Sequence, residues 1–440
     1  MRRQLIAALA FALALTAAPE SPANVYEIYG FGPRAIGMAG AMTAAATDYT
    51  ATYYNPGALT ADKEARLGLT FTLNRPKLYI DRRAPDPEAA EILPPTNVAL
   101  SLGWLYSFGG IFRDRLALGV SLHLPAKRLA RVQAIDAVVP HFTLYQSLHD
   151  KLLLHASVAG EILPGVSLGV GAQILADLAG TARLDLDVVD GRFARRSISV
   201  ELTPTISAVA GLHVRPVEGL AIGFAYRQAN AVSFALPVTV TEGESLTLNF
   251  DVRQTVLYSP HQLSLGFSYL VPSLDLTLAL DASLALWSQA PDPSTLIRGD
   301  IGGSLLEGLG LGDALDLSTE TPRTKPGFHD TVSVRVGFEW QARRWLLLRT
   351  GYGFRPTPVP RQTGLSAYLD NDAHIVSLGA GFVFQDPLKV HVHPIQLDLG
   401  FMMTVLPRRT VVRDTPGDPI GDLSHGGVVW TVSAAVSHAY

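Results

Sequence analysis

From Arg66 to its last residue the chain alternates, and that alternation limits the folds open to it. Leu67, Leu69, Phe71 and Leu73 interleave with Gly68, Thr70, Thr72 and Asn74. Val98, Leu100, Leu102, Trp104, Tyr106 and Phe108 stand between Ala99, Ser101, Gly103 and Ser107. Leu116, Leu118, Val120, Leu122 and Leu124 alternate with Ala117, Gly119, Ser121 and His123. Successive side chains of a strand point to opposite faces, so each segment has one oily face and one small, polar face. Leu274, Leu276, Leu278, Leu280, Ala282, Leu284 and Leu286 form an unbroken column, with Asp275, Thr277, Asp281 and Ser283 between them. A soluble β-sandwich would bury its apolar face and show Lys and Glu outside. Here the apolar face carries almost no charge. Arg or Lys at the bilayer midplane of a barrel wall costs roughly 2–4 kcal/mol, a cost avoided when charges keep to the other face.

The pattern returns over residues 152–162, 166–174, 202–214, 220–226, 256–269, 274–286, 332–340, 346–354, 376–384, 395–405 and 430–440. With the first three segments this predicts about 14 strands, an even number that suits a closed antiparallel barrel. Connections alternate in length. Short links lie near 109–110, 163–165, 215–219, 271–273, 341–344 and 385–394; long ones near 82–96, 126–150, 177–196, 228–255, 289–330, 356–373 and 407–427. Outer-membrane barrels have short periplasmic turns and long outer loops, so both ends of the wall are expected on the periplasmic side. The last strand fits in length: ten residues at roughly 3.3 Å, tilted about 40°, cover the apolar band of about 25 Å. Trp430 and Tyr440 stand at its two ends, where interfacial aromatic girdles belong. The fold class is therefore an all-β, transmembrane antiparallel barrel in a Gram-negative outer membrane.

Composition agrees. Charged residues make up 17% of the 440 and mean hydropathy is +0.22, yet no segment after the leader is apolar for the length of a spanning helix. The net charge of −4 gives no electrostatic footprint for nucleic acid. Without cysteine there is no disulfide, thiolate nucleophile or thiolate metal site. His391 and His393 form a weak metal pair in a short turn, and no metal or cofactor is expected.

Arg2 and Arg3, the apolar run Leu5–Ala18 and the small residues of Ser21-Pro22-Ala23 read as a secretory signal peptide over 1–23. Next comes a stretch, Tyr26 to Leu59, that belongs to no strand. It is rich in Gly and Ala, poor in charge, and ends in Asn55-Pro56-Gly57. Small residues let a backbone lie close against surrounding walls, so the stretch needs a container and the barrel is one. Glu27, the spaced glycines Gly30, Gly32, Gly37 and Gly40, the small-residue run to Asp48, and Asn55-Pro56 resemble the N-terminal hatch of the FadL-type outer-membrane transporters. That family carries long-chain fatty acids and other hydrophobic compounds. It usually has Asn-Pro-Ala where this chain has Gly57. Further along, DTVSVRVGFEWQARRWLLLRTGYGFRPTPVP and NDAHIVSLGAGFVF are similar to wall segments of the same family. The domains are then a leader over 1–23, a hatch over 24–63 and a barrel over 64–440.

The resemblance implies a monomer, not an enzyme, that takes a long-chain fatty acid or similar hydrophobic molecule between its outer loops. The ligand would pass into the barrel and leave sideways through the wall, where an inward kink interrupts the third strand. Gly119 is the expected kink, because glycine weakens a strand; the alternative is an ordinary lumen-facing glycine. Outer-membrane lipid, lipopolysaccharide and the barrel assembly machinery are the implied neighbours. The terminal Tyr440 resembles the aromatic assembly signal, although family members commonly end in Phe. Alternation points Arg227, Arg335 and Arg349 into the lumen, where Arg suits a ligand carboxylate. The same arginines could instead form a ladder with Glu339, Asp281, Asp275 or Asp398. Arg335 and Arg349 sit on neighbouring strands and are expected to converge. Apolar residues cluster in the loops 126–150 (Leu129, Val132, Ile135, Val138, Val139, Phe142, Leu144, Tyr145) and 289–330 (Leu296, Ile297, Ile301, Leu305, Leu306, Leu309, Leu311, Leu315). They predict either a capture groove or a cap over the barrel. An aromatic-hydrocarbon channel of the same fold is the rival substrate class. An outer-membrane lipase or an adhesive barrel is the rival function; the first requires a Ser-His pair projecting into the lipid headgroups, and the outward sets contain no such Ser, while the second would not need a hatch.

Overall fold

The computed structural model describes residues 25–83, 91–127, 135–145, 151–187, 192–242, 246–302, 319–320, 326–386, 393–413, 418 and 420–440. The leader, the apolar run 303–318, Leu129, Val132 and His391 lie outside these residues.

Fourteen strands close the wall. They are β1 (Arg66–Arg82), β2 (Asn97–Phe108), β3 (Leu116–Pro125), β4 (Leu153–Leu163), β5 (Val166–Asp187), β6 (Arg192–Val217) and β7 (Leu220–Arg227). They continue as β8 (Gln262–Val271), β9 (Leu276–Ala285), β10 (Thr331–Arg343), β11 (Leu346–Arg355), β12 (Ala373–Phe384), β13 (Ile395–Val411) and β14 (Leu423–Ala439). Each pairs antiparallel with its neighbours in sequence, and β14 returns to β1 from Arg66↔Ala439 to Arg82↔Leu423. Closure leaves the wall without an edge, which is what a sheet in hydrocarbon requires.

The oily columns face out. Leu67, Leu69, Leu280 and Leu378 are about half exposed, whereas the alternate positions Thr70, Ser101, Ser121, Ser283 and Ser377 are buried. The buried apolar core is built from the N-terminal segment, the outer loops and inward wall residues such as Leu105 and Leu175. One expected strand is divided: the wall strand begins at Gln262, and residues before it belong to a hairpin, Asn230–Glu242 with Leu246–Ser259, lying outside the barrel ring. Strand propensity alone cannot tell a wall strand from a loop hairpin, because both alternate. Asp275 sits in the turn between β8 and β9, not among the lumen acids.

The long loops close over one end. His141-Phe142 pairs in parallel with Tyr368-Leu369, and Ile135, Phe142, Leu144 and Tyr145 are buried. Arg355 holds Asp370 at 3.0 and 3.2 Å and the Tyr145 hydroxyl at 3.1 Å. Arg409 donates to the Val359 and Asp370 carbonyls. These described apolar loop residues pack as a cap. His141 is buried in it, with Nδ1 2.7 Å from the Val139 carbonyl and its ring edge-on to Tyr368. Burial outweighs that hydrogen bond and pushes the imidazole pKa down to about 4. An opened loop takes up the proton near pH 6.5, so the cap is at full stability above that value. It loses on the order of 2–3 kcal/mol as pH falls towards 4. Limited proteolysis of the outer loops should accelerate over this range and do so less in His141→Phe. Equal cleavage at pH 7 and pH 4.5 would refute the assignment.

Candidate functional site

The N-terminal segment crosses the barrel lumen. Three short helices, α1 (Val25–Tyr29), α2 (Pro33–Gly37) and α3 (Ala51–Tyr54), lead into a 3₁₀ turn over Pro56–Thr60. Gly30 and Gly32, at φ +77° and +83°, make the bend between α1 and α2 that a side chain would strain. Almost every residue from Tyr26 to Thr60 is buried.

The segment fits because the wall presents glycine to it. Every strand except β4, β9 and β14 places one glycine against it on the lumen face. Tyr49 lies flat on the cross-strand pair Gly68 and Gly103; Gly169 and Gly211 meet Pro56-Gly57; Gly337 and Gly351 meet Met38; Gly379 meets Gly37. A Cβ at Gly103 would stand 1.9 Å from the Tyr49 ring. This belt was readable in the alternation as glycine recurring at one inward height, yet small residues on the polar face give no sign of their partner.

The other hatch residues lock the same fit. Asn55 donates through Nδ2 to the Thr43 carbonyl (2.8 Å) and to Leu212 of β6 (3.0 Å), while its Oδ1 accepts from Gly57 N (3.0 Å). Pro56 opens the 3₁₀ turn. A Cβ at Gly57 would lie 2.8 Å from the Gly211 carbonyl oxygen, so the alanine common in the FadL-type pattern does not fit this wall unmoved. Asp48 accepts from the Thr50 amide and hydroxyl, shaping the turn before α3.

Gly119 is corrected. β3 pairs with β2 and with β4 in continuous register through it, so the strand has no kink there. A Cβ at this glycine would meet Leu59 at 2.6 Å and Thr52 at 2.7 Å. Its role is close approach to the hatch.

The three arginines do point inward, and each meets an acid. Arg349, with no exposed side-chain surface, donates to Glu339 (2.6 Å) and Asp398 (2.5 Å). Arg34 of α2 grips Glu339 with two hydrogen bonds of 2.9 and 2.8 Å. Arg335 is ion-paired with Glu27 of α1. Arg227 donates to the Tyr53 carbonyl (2.8 Å), stacks its guanidinium 4.3 Å over the Tyr53 ring and lies 3.8 Å from Glu27. Gln262 and the Tyr53 hydroxyl also donate to Glu27. Asp281 sits across the strand pair from Arg335 and accepts the Met42 and Thr43 amides, each at 2.8 Å. Arg335 and Arg349 therefore belong to separate clusters and do not converge. The cavity between Glu27, Asp281, Arg227 and Arg335 is about 20 Å³, room for about one water. Arg34 is the lone cation of a charge-poor stretch, the sequence signal of a buried partner.

A family model described as "Outer membrane protein transport protein (OMPP1/FadL/TodX)" matches residues 14–405. Alkane uptake protein A of Marinobacter nauticus is 25% identical over 433 residues, covering 93% of this chain and 90% of that protein. A FadL homologue of Pseudomonas aeruginosa has a TM-score of 0.56 at 14% identity, covering 95% of this chain and 98% of its own. The toluene transporter TodX of P. putida has 0.57 at 15% identity, covering 94% and 99%. At these identities the solved structures establish the fold alone.

Proposed function

The chain belongs to the outer membrane protein transport family of the OMPP1/FadL/TodX description, and from that premise we propose that it imports neutral hydrophobic molecules, alkanes foremost. Members are Gram-negative outer-membrane barrels that carry hydrophobic compounds; they are transport proteins, not enzymes.

One observation carries the choice of a neutral cargo: the lumen arginines expected to receive a carboxylate are already paired with acids of the hatch and wall. A fatty-acid carboxylate entering beside them would add a buried negative charge to clusters that are balanced, and an uncompensated buried charge is costly. A saturated hydrocarbon asks for no such partner. The similarity to an alkane uptake protein points the same way.

Release is lateral in this reading. The hatch is packed against most of the strands, and an apolar solute gains about 0.8 kcal/mol per CH₂ by remaining in hydrocarbon. Cells stripped of their own importers and expressing this chain are expected to take up labelled hexadecane far above vector controls, with oleate near background. Import of oleate without hexadecane would overturn the neutral-cargo reading. Import of toluene alone would move the cargo to the aromatic class.

A further inference from the structure

The bilayer face of the wall carries an apolar cavity of about 480 Å³, lined by Leu274, Leu276, Phe338, Trp340, Leu348 and Thr350. It lies where β9, β10 and β11 approach their short turns, on the periplasmic side of the barrel. Thr350 leaves the gap. Its ladder partners are Phe338 on one side and Leu378 on the other, and it is the shortest of the three.

A bulge supplies the other half of the site. The β10–β11 register runs Trp340↔Leu348 and Gln341↔Leu347, then skips Ala342 and resumes at Arg343↔Leu346. Without the skip Arg343 would share the lumen phase of Glu339 and Gln341. With it, Arg343 shares the outward phase of Leu346, Leu348 and Trp340, at the next outward position after the cavity. Arg344 follows in the turn, and then Trp345, exposed and stacked on Phe382. Both arginines are exposed. Arg343 donates to the Ala342 carbonyl at 2.8 Å, and among the described residues neither guanidinium is ion-paired. Asp275, exposed on the adjoining turn, accepts the Gln341 amide at its carbonyl and pairs with neither. Two free cations beside an apolar cavity, flanked by the interfacial rings of Trp340 and Trp345, match the two ends of one kind of molecule: a phosphate head and an acyl chain.

We propose that the cavity and Arg343–Arg344 bind an anionic phospholipid of the periplasmic leaflet, with phosphatidylglycerol as its simplest form. The site lies on the back of the strand pair whose lumen face holds Arg34 of the hatch through Glu339. An acyl chain fills the gap over Thr350, and the phosphodiester accepts from the two guanidinium groups. The chain gains no hydrophobic energy, because hydrocarbon surrounds it in the bulk bilayer too. Selection therefore lies in charge. A zwitterionic head brings its own ammonium to the phosphate, whereas an anionic head leaves its phosphate to the arginines. The site is independent of which solute crosses the barrel.

Native mass spectrometry of the full-length protein, folded in detergent and offered equal amounts of phosphatidylglycerol and phosphatidylethanolamine, tests this. Wild type is expected to retain one phosphatidylglycerol, at least fivefold over phosphatidylethanolamine. R343Q/R344Q should lose that preference; both residues are exposed at a turn, so the fold is not at stake. Thr350→Phe fills the cavity from a lipid-facing position and should lower retention about as far, although both charges remain. R113Q/R115Q removes two exposed arginines from the β2–β3 turn, beside a wall where Trp104, Tyr106, Phe108 and Phe112 pack on one another, and should change nothing. The shift between heated and unheated gel mobility reports that each variant is folded. Equal retention of the two lipids by wild type would overturn the proposal, as would full retention by Thr350→Phe. An equal loss in both arginine double variants would reduce the effect to surface charge and overturn it as well. Glycerol phosphate, which has the anion without the chains, is expected not to displace the lipid; displacement at comparable concentration would leave an anion patch and no lipid site.

Discussion

Gly103→Val is expected to displace the hatch and turn a closed barrel into a leaky one. The new branched side chain would occupy the place of the Tyr49 ring, which lies across Gly68 and Gly103 and is held by a 2.9 Å hydrogen bond to Thr70. The ring has no alternative site, because Phe31 stands edge-on behind it and the residue is buried. Overpacking costs typically 1–3 kcal/mol, and with backbone on one side and a pinned ring on the other the upper figure applies. That amounts to a roughly hundredfold rise in displaced hatch. Bulky hydrophilic antibiotics should enter cells expressing the variant, and planar-bilayer recordings should show open steps absent from the wild type. Tyr49→Ala in the same chain should restore closure by making room for the valine. A Gly103→Val barrel that stays impermeable with its hatch in place would show that the glycine belt does not set the fit.

Glu27→Gln should both weaken the hatch and admit a new class of ligand. Tyr53 and Gln262 can still donate to the glutamine side-chain carbonyl, so the shape of the site survives while its charge does not. Arg335 and Arg227 are left with one buried negative charge fewer. Breaking a buried pair on one side costs roughly 3–5 kcal/mol, which denaturant unfolding of the refolded barrel would register. The freed cations should then attract a carboxylate, so oleate uptake should rise above background in this variant. Glu27→Asp, which keeps the charge, should not gain it. Unchanged stability together with unchanged oleate uptake would mean that Arg227 and Arg335 never depended on Glu27.

How far the sequence carries can be judged residue by residue. Alternation such as Leu67-Gly68-Leu69-Thr70 reports a local preference, and the bilayer reads it directly: the oily phase must meet acyl chains. Strand count, facing direction, the lumen orientation of Arg227, Arg335 and Arg349, and a small-residue segment in need of a container all follow from it. The chain also alternates over Val256–Ser259, where the structure builds a hairpin outside the barrel ring, because the two-residue period carries no record of which neighbour a strand pairs with.

Everything that depends on how the hatch meets the wall waited for the tertiary structure. Arg335 joins α1 and Arg349 joins Asp398, although their place on neighbouring strands allows a shared target. Gly119 receives Leu59 instead of bending its strand. The physical reason is one of range. Which way a side chain faces is settled by its neighbours two residues away and by the solvent. Which side chain it touches across a lumen depends on the path of a segment up to some three hundred residues distant, as for Arg34 and Glu339.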